Sequence, residues 1–174
     1  MPSQPNPKNA ESIIKVIERG VHFVKNGLCS AICTMPISKS NLKDGAKFRF
    51  PGHTEYLSSL AATMPGGPLM MLACDKLRVV PATVHIPLKE VSNSISTDLI
   101  IKKCTLMHHC LQANFGIQYP RIAICGLNPH AGEDGKMGEE DRTVIVPAIQ
   151  QLVASGVNAT GPHPADTLFH TEAR

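Results

Sequence analysis

Cys125-Gly126-Leu127-Asn128-Pro129-His130-Ala131-Gly132-Glu133-Asp134-Gly135-Lys136-Met137-Gly138 is the stretch whose reading decides the fold. It follows an apolar run, residues 121–125, with the length and composition of a buried strand. It precedes a helical pattern that starts near Glu139. Open α/β sheets place their chemistry in such loops, at the carboxyl ends of strands. The glycines and Pro129 let the backbone turn sharply and approach a ligand closely. His130 adds an imidazole that can bind a metal or carry a proton, although a polar turn residue fits the same local sequence. Gly-x-Gly-x-x-Gly spacing is absent, so the loop is not a dinucleotide fingerprint. No Gly-Lys-Ser/Thr ends it, so it is not a P-loop.

Outward from this loop the pattern alternates. Residues 10–26 put Ile13, Ile14, Ile17, Val21 and Val24 on one helical stripe, with Gly27 as a stop. Residues 28–34 read as a short buried strand. Ser38 is placed to cap a short helix reaching Leu42, and Thr54 to cap a second through Ala62. Residues 69–74 and 78–85 read as two strands joined by a short turn, hence an antiparallel pair. Residues 94–114 form a long helical pattern closed by Gly116, and residues 139–155 another, stopped by Gly156. Repeated strand–helix alternation predicts the α/β class with part of the sheet parallel.

Composition limits the function classes. The chain has 174 residues, 43% hydrophobic and 18% charged, with a net charge of +3. That is a globular composition. Its basic residues are scattered and aromatics are few, so nucleic-acid binding has no footprint. No apolar run reaches the roughly 20 residues needed to span a bilayer. The opening residues 1–8 form a polar, proline-rich lead unlike a secretory signal, which predicts a cytoplasmic protein. The six cysteines contain no Cys-x-x-Cys pair. Four lie in apolar runs or a helical pattern and are expected to be buried, reduced thiols.

Local sequence leaves the candidate residues open. His85 closes an apolar strand pattern, where a histidine is more often a satisfied structural residue than a ligand. His53 and Thr54 stand at a predicted helix start, where free N–H groups cap the helix or bind an anion. Asp166, in Pro164-Ala165-Asp166-Thr167, reads as a helix cap or an active-site acid. Lys39 is a weaker candidate. His108 and His109 are adjacent on a helix and cannot share a face, so they receive no role.

Four ordered motifs carry a resemblance: GHTE (52–55), ATVHIPL (82–88), GLNPHAGEDGKMG (126–138) and GPHPADTLF (161–169). Together with SAICTMPISKS (30–40) and FRFPGHTEYL (48–57), they closely resemble the 4-hydroxythreonine-4-phosphate dehydrogenases of pyridoxal phosphate (vitamin B6) biosynthesis. The resemblance runs from about Asn9 onward. It implies part of an isocitrate/isopropylmalate dehydrogenase-like two-domain fold, a mixed sheet flanked by helices. It also implies a homodimer that shares its active site. The implied reaction is NAD-dependent oxidation, with decarboxylation, of 4-phosphooxy-threonine in the presence of a divalent metal (zinc, magnesium or cobalt). By the same resemblance His85 and His130 match two of three metal-binding histidines, and His53 and Thr54 match substrate-contacting residues. Asp166 matches a site residue supplied across the dimer interface.

The comparison also implies that residues 9–174 are a central part of the dehydrogenase, truncated at both ends. The third metal histidine, in a His-Asp-Gln-Gly-like motif, and much of the cofactor site belong to the part that follows, so no NAD-contacting residue is assigned. Two alternatives stand beside this reading. One is a paralogous dehydrogenase of a phosphorylated sugar acid such as 4-phosphothreonate. The other is a non-catalytic fragment that only associates with full-length subunits. On its own the chain is expected to be inactive.

Overall fold

The computed structural model describes residues 6–61 and 67–170, which divide between two compact units, Met1–Pro68 and Leu69–Arg174. In the first unit, α1 (Ala10–Lys25) carries the expected stripe: Ala10, Ile17 and Val21 are buried, with Ile13 and Ile14 half-buried. Gly27 ends α1 at φ +71°, a conformation that costs glycine nothing. Its N–H donates to Val24 O (3.0 Å) and the Leu28 N–H to Phe23 O (2.9 Å), which satisfies two carbonyls of the last turn. Helices α2 (Lys39–Ala46) and α3 (His53–Ala61) pack against α1 around Leu42, Phe48 and Tyr56. The rings of Phe48 and Tyr56 meet edge-on, with centroids 5.1 Å apart. The Tyr56 hydroxyl donates to Glu18 Oε1 at 2.9 Å, so the polar tip of this buried ring has a partner.

Three expectations for this unit change. Residues 28–34 form no strand, and Leu28 is 71% exposed. A strand needs a neighbour for its N–H and C=O groups, and the described residues of the unit offer none. Ser38 precedes α2 with extended backbone, but its side chain makes no capping bond and the helix runs past Leu42 to Ala46. The third helix begins at His53, so Thr54 lies inside the first turn rather than at the cap; Ala62, its expected end, falls outside the described residues.

The second unit opens with a hairpin of β1 (Leu72–Cys74) and β2 (Leu77–Val79), antiparallel as expected, with Leu72 opposite Val79 and Cys74 opposite Leu77. Both strands are shorter than their apolar runs. Pro81 lacks an N–H and cannot continue a ladder, so β2 stops at Val79 and His85 lies in a bend with φ +59° rather than at a strand end. A short α4 (Val91–Ser94) leads to the long α5 (Thr97–Phe115). Ser96 caps α5 by accepting from the Leu99 N–H at 3.2 Å, and Gly116 closes it at φ +67°.

Strand β3 (Arg121–Cys125) pairs in parallel with β4 (Asn158–His163), aligning Ile122 with Ala159 and Cys125 with His163. The crossover between them contains a 3₁₀ segment (Pro129–Gly135), a π turn (Asp141–Ile145) and α6 (Val146–Ala154). The expected single helix over 139–155 is therefore two pieces, with Gly156 as its stop at φ +85°. Ile100, Ile122, Ile145, Ala148, Ile149, Leu152, Val157 and Ala159 form the core that joins α5 and α6 to the sheet. The α/β class holds. Among the described residues the two ladders are separate two-stranded sheets, not one mixed sheet.

None of the cysteines is fully buried. Cys29, Cys33 and Cys74 are exposed, and Cys104, Cys110 and Cys125 are half-buried, all as free thiols. Two of the exposed ones, Cys29 and Cys33, lie on the segment that forms no strand. Burial pushes the Cys104 thiol up to about 11, and raises Cys125 as well.

Candidate functional site

Strand β3 delivers the chain to Gly126, whose N–H donates to His163 O at 2.8 Å and so joins the loop to the end of β4. Little space remains beyond. A methyl group on Gly126 would lie 2.9 Å from Ala131 Cα and 2.9 Å from Asp141 Oδ1. The backbone then enters a left-handed run: φ is 53° at His130, 56° at Ala131, 79° at Gly132 and 45° at Glu133. Three of those four residues carry a Cβ. Non-glycine residues held there are strained and persist only where the surroundings over-determine them.

Against this loop lies Asp141, the first residue of the π turn and only 3% exposed. Its Oδ1 accepts from the Leu127 N–H at 2.7 Å, and its Oδ2 from the Asn128 N–H at 3.1 Å and Asn128 Nδ2 at 3.0 Å. Asn128 Nδ2 also donates to Glu140 Oε2 at 3.0 Å. The Glu140 carboxyl is held below its usual range by its own backbone N–H and then by this amide. The sequence reading missed Asp141 and Asn128. The available signal was an acidic residue opening the helical pattern just after the glycines, where a carboxylate can accept loop N–H groups.

His130 stands at the rim with its side chain 63% exposed, its Nδ1 3.4 Å from Glu133 Oε1. Gly126, Leu127, Asn128, Pro129 and His130 line one cleft of about 350 Å³ together with Ala165 and Asp166. Two of the sequence motifs therefore meet on one cleft, though they are far apart in the chain. Asp166 is exposed and lies in a turn in which Thr167 and Leu168 N–H groups donate to Pro164 O. No helix follows it among the described residues, so the helix-cap reading of Asp166 fails.

A neighbouring cleft of about 370 Å³ is mostly apolar and brings Ala82 and Thr83, from the segment before His85, beside Gly126 and Leu127. Lys103 also lines it and donates to Pro81 O at 3.0 Å; burial lowers the pKa of its ammonium. His85 itself is exposed and borders neither of the clefts that His130 lines. Among the described residues no three His, Cys, Asp or Glu side chains stand close enough together to hold a metal ion. The imidazoles of His85 and His130 are nevertheless the donor type that zinc and similar divalent metals take.

In the first unit the GHTE segment begins α3. His53 Nε2 is enclosed and has no hydrogen-bond partner among the described residues, whereas Thr54 is exposed. A methyl group on Gly52 would lie 2.9 Å from Glu55 Oε2 and 3.5 Å from Lys39 Nζ, so Lys39 comes to the start of this helix.

The family model described as "Pyridoxal phosphate biosynthetic protein PdxA" matches residues 1–174. The chain belongs to the PdxA family. A 4-hydroxythreonine-4-phosphate dehydrogenase of Roseobacter denitrificans is 50% identical over 173 residues, covering 99% of this chain and 53% of that protein. A crystal structure of 4-hydroxythreonine-4-phosphate dehydrogenase from Klebsiella pneumoniae superposes with a TM-score of 0.87 at 34% identity, covering 97% of this chain and 50% of that one. The Burkholderia phymatum counterpart gives 0.84 at 37% identity, covering 98% and 51%. The chain thus spans about half the length of the PdxA relatives it matches.

Proposed function

We propose that this PdxA chain supplies part of the active site of an NAD-dependent 4-hydroxythreonine-4-phosphate dehydrogenase, acting in pyridoxal phosphate biosynthesis. The observation that carries this reading is the meeting of His130 and Asp166 on one cleft at the carboxyl end of β3, in a chain half identical to a relative with that name. Residues 9–174 form the central part of a two-domain fold of the isocitrate/isopropylmalate dehydrogenase kind. The protein is a cytoplasmic homodimer with a shared site. Among the described residues no helix is long and apolar enough to cross a membrane.

His85 and His130 would hold the divalent metal, with at least one further donor from outside the described residues. Bound there, the cation supplies a Lewis acid that stabilises negative charge on a substrate oxygen. His53 and Thr54, at the first turn of α3, bind and orient the anionic substrate through imidazole and free N–H donors. Asp166, an exposed carboxylate on the cleft, would take the proton of the substrate hydroxyl as that carbon is oxidised; NAD, when bound, would supply the hydride acceptor. The resulting 3-keto acid then loses carbon dioxide.

Steady-state NADH formation tests the reading directly. The protein carrying this chain should reduce NAD with 4-phosphooxy-threonine and a divalent metal, and much more slowly with 4-phosphothreonate. His130→Ala should remove most of the turnover. A preference for 4-phosphothreonate would move the assignment to the sugar-acid enzyme. No NADH from either substrate would overturn it.

A further inference from the structure

We propose that Asp141 is the positioning residue of this site, whose carboxylate holds the His130 loop in its left-handed conformation; the inference rests on the role given to His130 above. Asp141 is the buried charged side chain of the described residues, and it is not paired with a cation. Its acceptor capacity is spent on the loop instead: two successive main-chain N–H groups, of Leu127 and Asn128, and the Asn128 side chain. The loop is shaped to receive it. Methyl groups at Gly126 and Gly132 would come within 2.9 Å and 3.3 Å of its oxygens. The three strained non-glycine residues, His130, Ala131 and Glu133, begin two residues beyond the clamped Asn128. A π turn, a geometry often found beside functional sites, starts at Asp141 itself. Thr97 Oγ1 ties that turn to α5 by donating to Val144 O at 3.1 Å, so the anchor rests on the core.

The arrangement makes a residue-specific forecast. An asparagine at position 141 has one oxygen and one NH₂ group where the carboxylate has two acceptors. It can accept from the Leu127 N–H or from Asn128, but not from both. Asp141→Asn should therefore expose one of these two amides to hydrogen exchange and leave the other protected. A general loss of stability would raise both together with Ile122 and Ala159 of the sheet. Asp141→Ala should expose both amides by roughly tenfold or more, while the β3–β4 amides keep their protection.

Zinc titration followed at the His130 ring resonances supplies the second readout. Removing a group that orients a ligand typically weakens metal binding about 10–100-fold, and Asp141→Ala should fall in that range. Unchanged exchange at Leu127 and Asn128 in both variants overturns the proposal; so does a uniform rise across loop and sheet. If Asp141→Ala does not fold, the one-sided pattern in Asp141→Asn decides. Zinc that leaves His130 unmoved in the parent protein would sink the metal reading, while the exchange pattern still decides the positioning role.

Discussion

Gly126→Ala should destabilise the second unit although the backbone at that position does not need glycine. Its φ is outside the left-handed region, so an alanine suffers no conformational strain. The cost is steric. The new methyl group would sit 2.9 Å from Ala131 Cα, 2.9 Å from Asp141 Oδ1 and 3.1 Å from Ala131 Cβ. Two of these contacts are with a backbone-fixed residue, and the third is a carboxylate already committed to three donors. None can swing away as the tip of a long side chain would. Forcing a methyl group into such a place costs about 1–3 kcal/mol. The lost freedom of the unfolded chain offsets about 0.4–1 kcal/mol of that. The net is a destabilisation of about 1–2 kcal/mol. With a urea slope of about 2 kcal/mol/M, in the middle of the usual range, the midpoint followed by circular dichroism should fall by roughly 0.5–1 M. Gly156→Ala is the matched control, because φ there is +85° and nothing lies within 4 Å. Its cost of about 1–2 kcal/mol is purely conformational and should leave zinc binding at His130 unchanged, whereas Gly126→Ala should weaken it. An unchanged or raised midpoint in Gly126→Ala would refute the packing argument.

Tyr56 gives a pH forecast. Burial, and then Glu18, push its phenol up to about 12 from 10.0, so the folded state keeps the proton longer than the unfolded one. The stabilisation is complete below pH 10 and is lost as the pH climbs through 12, and melting curves of Tyr56→Phe should fall less steeply across that window. The thiols should separate by rate: a disulfide reagent at pH 8 should label Cys29, Cys33 and Cys74 quickly and Cys104, whose pKa burial raises to about 11, slowly. Fast labelling of Cys104 would contradict its burial. Under the proposed function, His53→Ala should raise KM for the phosphorylated substrate roughly tenfold to a hundredfold, the worth of a charge-assisted hydrogen bond of about 1.5–3 kcal/mol, with KM for NAD little changed. Equal effects on both constants would assign His53 a structural role.

The parts of the molecule that sequence alone disclosed are those set by local rules. The α1 stripe, the long α5 pattern, the apolar β3 and the stops at Gly27, Gly116 and Gly156 each follow from a few adjacent residues, and each glycine stop has positive φ, whereas the Ser96 cap of α5 was not read from the sequence. Strand β4 was hidden because Asn158-Ala159-Thr160-Gly161-Pro162-His163 holds a glycine and a proline and no large apolar residue. Its pairing with β3 forms it, not propensity. Residues 28–34 show the reverse, an apolar run without a partner ladder. His130 was legible because a histidine among glycines is unusual. Asp141 was not, since its value lies in hydrogen bonds to residues 13 and 14 positions away that only the crossover brings close. The family motifs marked His85 and Asp166. The fold then set Asp166 beside His130, while His85 sits in a bend that the strand pattern did not foresee.

The most direct test of the central claim is a calorimetric titration of zinc into the protein and into His85→Ala, His130→Ala and the double variant. If both histidines ligate one metal, each single change should weaken binding by at least about tenfold, and the double change should cost clearly less than the sum of the two, because neither remaining donor binds well alone. Zinc affinity unchanged in both single variants would contradict the assignment of His85 and His130 as a metal pair.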